Sequence, residues 1–159
     1  MENTARTVKD LSFTEADRLR ISQQNGFLGV TKPVTVRIFG TNAATAANYT
    51  APFFIADRSY EIISVTERHE TAGSSGGAVT VMVKKVASGT APASGVDVLS
   101  AGISLKATAN TNQSGTIIQT RTSNVYNRTL TSGDALALVT TGTLTSVAGV
   151  TVAVLLRSL

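Results

Sequence analysis

Residues 67 to 85 read ERHETAGSSGGAVTVMVKK. The stretch holds the single histidine of the chain, His69, and then Gly73-Ser74-Ser75-Gly76-Gly77, which fits the G-x-S-x-G pattern of a hydrolase nucleophile elbow. An elbow requires a strand, a sharp turn and a helix, so that the serine stands clear of the sheet, and its histidine follows the serine in the chain. Here His69 precedes Ser75, and both flanks have strand character. Beyond the glycines, Val79, Val81 and Val83 alternate with Thr80, Met82 and Lys84, the period-two signature of a half-buried strand. The segment therefore reads as a flexible hairpin loop between two strands, and the chain around it as strand, turn, strand.

The same alternation recurs on both sides. PVTVRIFG places Val34, Val36 and Ile38 on one face and Thr35, Arg37 and Phe39 on the other. YTAPFFIA is followed by a turn at Asp57-Arg58 and by SYEIISVTERHE, a long strand on which Ile63, Val65, Glu67 and His69 share a face. VDVLSAGISLKA and GTIIQTR read as further strands, and DALALVTTG with TLTSVAGVTVAVLLR as a final hairpin. Turn signals at SSGG, SGTAPASG, NTNQSG and TSGD punctuate the run, and Asp134 in the last of these ends a turn before a strand. Short strands at such spacing predict an antiparallel β-sandwich or barrel over residues 32–159. No β-α alternation supports a Rossmann or TIM fold.

Residues 1–31 differ. Ser12-Phe13-Thr14-Glu15 fits a capping box, TEADRLRISQQ suits a helix of about three turns, and Gly26 can close it. Phe13, Ala16 and Leu19 fall near one face, and Phe27-Leu28 add an apolar pair. A helix this short with so thin a stripe does not hold alone in water. The segment is expected to be an arm that docks on its own β-domain, a neighbouring subunit or another protein, with Phe13, Leu19, Phe27 and Leu28 as the candidate contacts.

The bulk numbers suit an extended assembly more than a cytosolic enzyme. The chain has 159 residues, of which 42% are hydrophobic and 15% charged, against about 25% charged in ordinary domains. Thr, Ala, Ser and Gly fill almost half of it, a composition suited to pleated sheet and tight turns. The absence of cysteine excludes a thiolate metal site, a disulfide framework and a cysteine nucleophile. The net charge of +4 is spread singly, with Lys84-Lys85 the one adjacent basic pair, so no nucleic-acid face is expected. No apolar run approaches the ~20 residues of a membrane-spanning helix, and MENTARTVKDLSFTEADRLRIS lacks the pattern of a signal peptide. A soluble, unsecreted chain with no membrane partner is the expectation.

No P-loop, dinucleotide fingerprint, HExxH or EF-hand pattern occurs. The carboxylates Asp57, Glu61, Glu67, Glu70, Asp97 and Asp134 are scattered, and nothing in their spacing selects the pair a glycosidase needs. His69 reads as a surface or interface residue. Glu67 on its face could make a second metal ligand, but two ligands are no site without a third. Ser75→Ala and His69→Ala are accordingly expected to change stability by no more than ~0.5 kcal/mol.

The run APFFIADRSYEIISVTERHETAGSSGGAVTVMVKKVASGTAPASGVDVLS, continued by LKATANTNQSGT and LTSGDALALVTTGTLTSVAGVTVAVLL, resembles small head proteins of tailed bacteriophages. It is most similar to the decoration, or cement, proteins on the outside of the capsid, over roughly residues 50 to 156. The resemblance rests on turn-and-strand patterns and implies a β-sandwich, often a jelly roll, usually trimeric. It further implies a structural virion protein on the outer capsid surface, with the major capsid protein as partner and neither cofactor nor catalysis. The alternative is a head-fibre or receptor-binding module for host glycans. Sugar platforms usually display aromatics, and three tyrosines without tryptophan favour the clamp.

Overall fold

The computed structural model describes residues 31–38, 49–119, 121–122 and 125–159. The arm residues Phe13, Leu19, Phe27 and Leu28 lie outside them. Among the described residues six strands are long: β1 (Thr31–Ile38), β2 (Thr50–Ile55), β3 (Tyr60–Arg68), β4 (Thr80–Val86) and, near the end, β11 (Ala135–Thr141) and β12 (Val150–Ser158). Between β4 and β11 come the two-residue strands β5 (Val96–Asp97), β6 (Ile103–Ser104), β7 (Gln113–Ser114), β8 (Arg121–Thr122), β9 (Val125–Tyr126) and β10 (Thr129–Leu130).

All pairing is antiparallel, in two principal sheets. One has the order β1-β12-β3-β10, with β7 also on β3; the other has β2-β11-β4-β5, with β6 also on β4. The first strand thus lies beside the last, β1 to β4 alternate between the sheets, and β11 and β12 again lie in opposite ones. This interleaving of two four-strand paths, each sheet carrying one further short strand, is the jelly roll, so the expected all-β sandwich is the fold observed.

Two local expectations are corrected by the topology. The glycine-rich segment after β3 is not a hairpin loop: β3 and β4 belong to different sheets, and the loop carries the chain across the sandwich. Nor do β11 and β12 form a hairpin, since they too lie in opposite sheets. Period-two alternation tells which face of a strand is buried, and this is the same for a hairpin and for a crossover. VDVLSAGISLKA and GTIIQTR likewise contribute only brief ladders, because the chain there runs between the sheets, with Ser100 N donating to Thr116 O and Ile118 N to Val98 O.

The core lies between the sheets. Val150, Val152, Val154 and Leu156 from β12 face Leu136 and Leu138 from β11, with Val81 and Val83 from β4, all essentially inaccessible to solvent. On β3 the face assignment needs one correction. The register with β12 shifts between Leu155 and Leu156, whose partners are Ser64 and Ile62, so Ile63 is an extra residue. Such a bulge reverses the alternation. Ile62 and Val65 are buried, and Ile63 is turned out at 40% exposure, not onto the face of Val65 and Glu67 as strict alternation predicts.

Prolines occupy sites that forgo an amide donor. Pro33 and Pro52 lie on β1 and β2, the edge strands of the two sheets, and Pro92 opens a short 3₁₀ turn, Pro92–Ser94. That turn contacts β2, β4 and β11. Its return demands close approach: a Cβ on Gly95 would stand 2.7 Å from Lys85 O and 2.8 Å from Val86 Cγ2.

Candidate functional site

The chemistry-bearing residues fall into two places, at opposite ends of the sandwich. At one end β3 leaves its sheet, and the register places Glu67 opposite Val152, hence facing inward. His69, two residues on, faces the same way. Both side chains are fully buried, which corrects the reading of His69 as a surface or interface residue. Sequence pattern misplaces it because a histidine beside charged neighbours resembles an exposed strand end. The covering segment, Leu105–Asn112, is distant in sequence.

The ring is held on both sides. His69 Nδ1 lies 3.0 Å from Glu67 Oε1, and Nε2 lies 3.0 Å from the carbonyl oxygen of Ala107. Gln113 Nε2 donates to Glu67 Oε2 at 2.7 Å and to Ser104 O at 2.9 Å. The main chain closes the same contact, with Asn110 N donating to His69 O at 2.7 Å. Burial pushes the Glu67 carboxyl above its usual range, opposed by the hydrogen bonds and charge of His69 and by Gln113. Gln113 and Ala107 had no sequence signal: one lies in a turn-rich run, and the other contributes only its backbone.

Ser75 sits in the crossover loop, where its Oγ accepts from Gly77 N at 3.4 Å. The two residues of the supposed elbow are not brought together: each ring nitrogen of His69 already faces Glu67 or Ala107.

The remaining carboxylates are each engaged separately. Tyr60 Oη donates to Asp57 at 2.5 Å, and this bond chiefly holds the Asp57 carboxyl below its usual range. Glu61 takes Arg157 and, at 3.2 Å, Arg128. Arg37 pairs with Glu70, and Lys84 Nζ lies 2.6 Å from Asp97 Oδ1. Asp134 Oδ2 accepts from the Thr131 amide at 2.8 Å, closing the turn before β11 as expected. Lys85 is buried and donates to Thr129 O at 3.1 Å; burial pushes its ammonium below the usual range. Among the described residues, no group of three His, Cys, Asp or Glu could hold a metal ion. No helix among them is long and apolar enough to cross a membrane.

The other place is the opposite end. Thr31, where β1 begins, pairs with Arg157 near the end of β12, and Ser158 pairs with Tyr60. Ala135 pairs with Ile55, and Leu159 N donates to Ser59 O. Residues before Thr31 therefore join the domain at the end that carries Ile55, 71% exposed, and Leu159, 51% exposed. Ile55 escaped the sequence reading because the β2–β11 register shifts at Leu136/Ala137, turning it out of the apolar run PFFI. A small groove of about 230 Å³ lies between Ser100–Ser104 and Gln113–Thr116, bordered by the Gln113 and Ser104 of the buried cluster.

Among the described residues, the geometry and the strand order define a jelly-roll sandwich with the Glu67–His69 cluster buried at one end and two exposed aliphatic side chains, Ile55 and Leu159, at the other. No family model matches the chain, and no curated protein matches it. Solved structures with a similar fold include a cyanophage Pam1 capsid, 18% identical over 83% of this chain and 87% of that one, with a TM-score of 0.42. A structure of Bacillus endospore appendages, described as disulfide-linked pili, is 14% identical over 82% of this chain and 88% of that one, with a TM-score of 0.39. One from infectious bursal disease virus, Gx strain, is 16% identical over 82% of this chain but only 33% of that one, with a TM-score of 0.39. At these identities and scores the likenesses carry no argument about what this chain does.

Proposed function

We propose that the chain is a structural virion protein, a decoration protein that binds the outside of the major capsid protein lattice of a tailed bacteriophage and stabilises the head. In this reading it acts as a homotrimer, without catalysis or cofactor. Two things support it: the resemblance of residues 50 to 156 to that family, and one structural observation, the exposed Ile55 at the end where the arm joins. A large aliphatic side chain left in solvent beside the departure of a segment with its own apolar residues makes a composite docking surface. Each contact is modest, and many copies over a shell act together through high effective concentration. The jelly roll alone does not decide between this reading and a glycan-binding one.

The test is sedimentation of the purified protein with capsids stripped of it. The full-length chain is expected to add back and to raise the temperature at which shells break. Ile55→Asp, and separately deletion of residues 1–28, are each expected to weaken binding at least tenfold, about 1.4 kcal/mol. Both are expected to leave the melting temperature of the free protein nearly unchanged. Binding equal to wild type in both variants would remove this end of the molecule from the contact. No association of the full-length chain would defeat the decoration reading itself, and binding to host glycans instead would establish the alternative. Light scattering at micromolar concentration is expected to return the mass of a trimer; a monomer mass counts against that part.

A further inference from the structure

The cluster around His69 has no part in that reading, and its hydrogen bonds demand a definite number of protons. A carbonyl oxygen only accepts, so the contact with Ala107 requires a proton on His69 Nε2. The contact between Nδ1 and Glu67 Oε1 requires one more, either on the ring or on the carboxyl. The Gln113 amide already spends both of its donors, on Glu67 and on Ser104 O. Two protons thus satisfy every contact. With one proton fewer, the ring has a single N–H for two acceptors. The ionised carboxylate takes it, since a charge-assisted bond is about twice as strong as a neutral one. Nε2 then presents its lone pair to Ala107 O, and that contact becomes repulsive.

The segment lost by this exchange is a strap between the sheets. Residues 104–113 lead from β6 on the second sheet to β7 on the first, tied to His69, just past β3, by Ala107 O and Asn110 N, and to Glu67 on β3 by Gln113. We propose that His69 and Glu67 form a proton-operated clasp, which holds the 104–113 strap closed while the pair keeps its shared proton and releases it when that proton leaves to solvent.

The surroundings isolate the pair. β12 sets Val152 against Glu67, and β1 sets Val36 beyond it. The ionisable groups nearby on other elements are turned elsewhere: Arg37 on β1 pairs with Glu70, and Lys106 of the strap donates to Gly77 O at 3.2 Å. Among the described residues, His69 and Gln113 are the ones whose charge or hydrogen bonds act on the Glu67 carboxyl. The direction follows from linkage. The folded carboxyl holds its proton above its usual range, so the stabilisation is complete below that range and is lost as pH rises through the folded value.

The test is hydrogen–deuterium exchange of the full chain, read on peptides covering 104–113 and corrected for the intrinsic pH dependence of exchange. In the wild type, protection of this segment is expected to fall by up to about tenfold per pH unit once the shared proton begins to leave, the slope of a one-proton transition. Glu67→Gln supplies a permanent donor to Nδ1 and an acceptor to Gln113, so its protection is expected to stay flat over the same range. Matching pH profiles in the two proteins would overturn the clasp. Nitrogen-15 resonances of the His69 ring in the wild type give a second reading that needs no variant. Nδ1 is expected to shift in the pH range where the strap opens, and a ring that stays constant through that opening would equally overturn the proposal.

Discussion

His69→Ala is expected to destabilise the protein by about 3–5 kcal/mol, the range for removing one member of a buried ionisable pair. The ring is fully enclosed, and its loss strands the Glu67 carboxyl where water does not reach it and takes a hydrogen-bond partner from the part-buried Ala107 carbonyl. It also leaves a cavity under the strap. Urea denaturation followed by circular dichroism measures the effect, with Ser75→Ala as the reference. Ser75 makes one long contact to Gly77 in the crossover loop, so its replacement is expected to stay within ~0.5 kcal/mol. The two substitutions, equivalent from the sequence, are thus separated by the structure. A loss below about 1 kcal/mol for His69→Ala, no more than an ordinary net hydrogen bond, would mean that the ring is hydrated in solution.

Gly142→Ala is expected to be of similar severity, about 2–5 kcal/mol, for a different reason. Gly142 follows β11 with φ of +89°, a region that costs an L-residue roughly 1–2 kcal/mol. A Cβ built there would lie 2.0 Å from the carbonyl oxygen of Ala78, two residues before β4. Backbone cannot swing aside as a side chain can, so the paired ends of β11 and β4 must shift, at an overpacking cost of roughly 1–3 kcal/mol. Gly76→Ala is the control: nothing lies within 4 Å of its Cβ position, and a change within ~0.5 kcal/mol is expected. A melting temperature of Gly142→Ala equal to wild type would show that this turn relaxes freely.

Strands with an unbroken alternation were legible from the sequence. Val79, Val81 and Val83, or Val150, Val152 and Val154, can bury one face in only one way, and all six are buried. Legibility failed where a bulge reversed the count, at Ile63 and at Ile55, because an inserted residue leaves no local mark. It failed also for sheet membership, since the alternation does not record which sheet a strand joins. The buried cluster was half visible: Glu67 and His69 were placed on one face, but their burial depends on a strap some forty residues further along. Its main contributions, a carbonyl and an amide of the backbone, have no side-chain signature.

The pairing of the first described strand with the last has a practical consequence for anyone attaching cargo. Thr31 and Arg157 are partners, so a tag fused after Leu159 would emerge near Thr31, on the end that carries Ile55. Such a fusion would compete with the surface proposed to meet the shell. The crossover loop at Gly76 and Gly77 lies at the far end, exposed and with open space at both glycines. A peptide spliced in there would be carried away from the arm, making that loop, and not the chain terminus, the natural attachment point for display on an assembled particle.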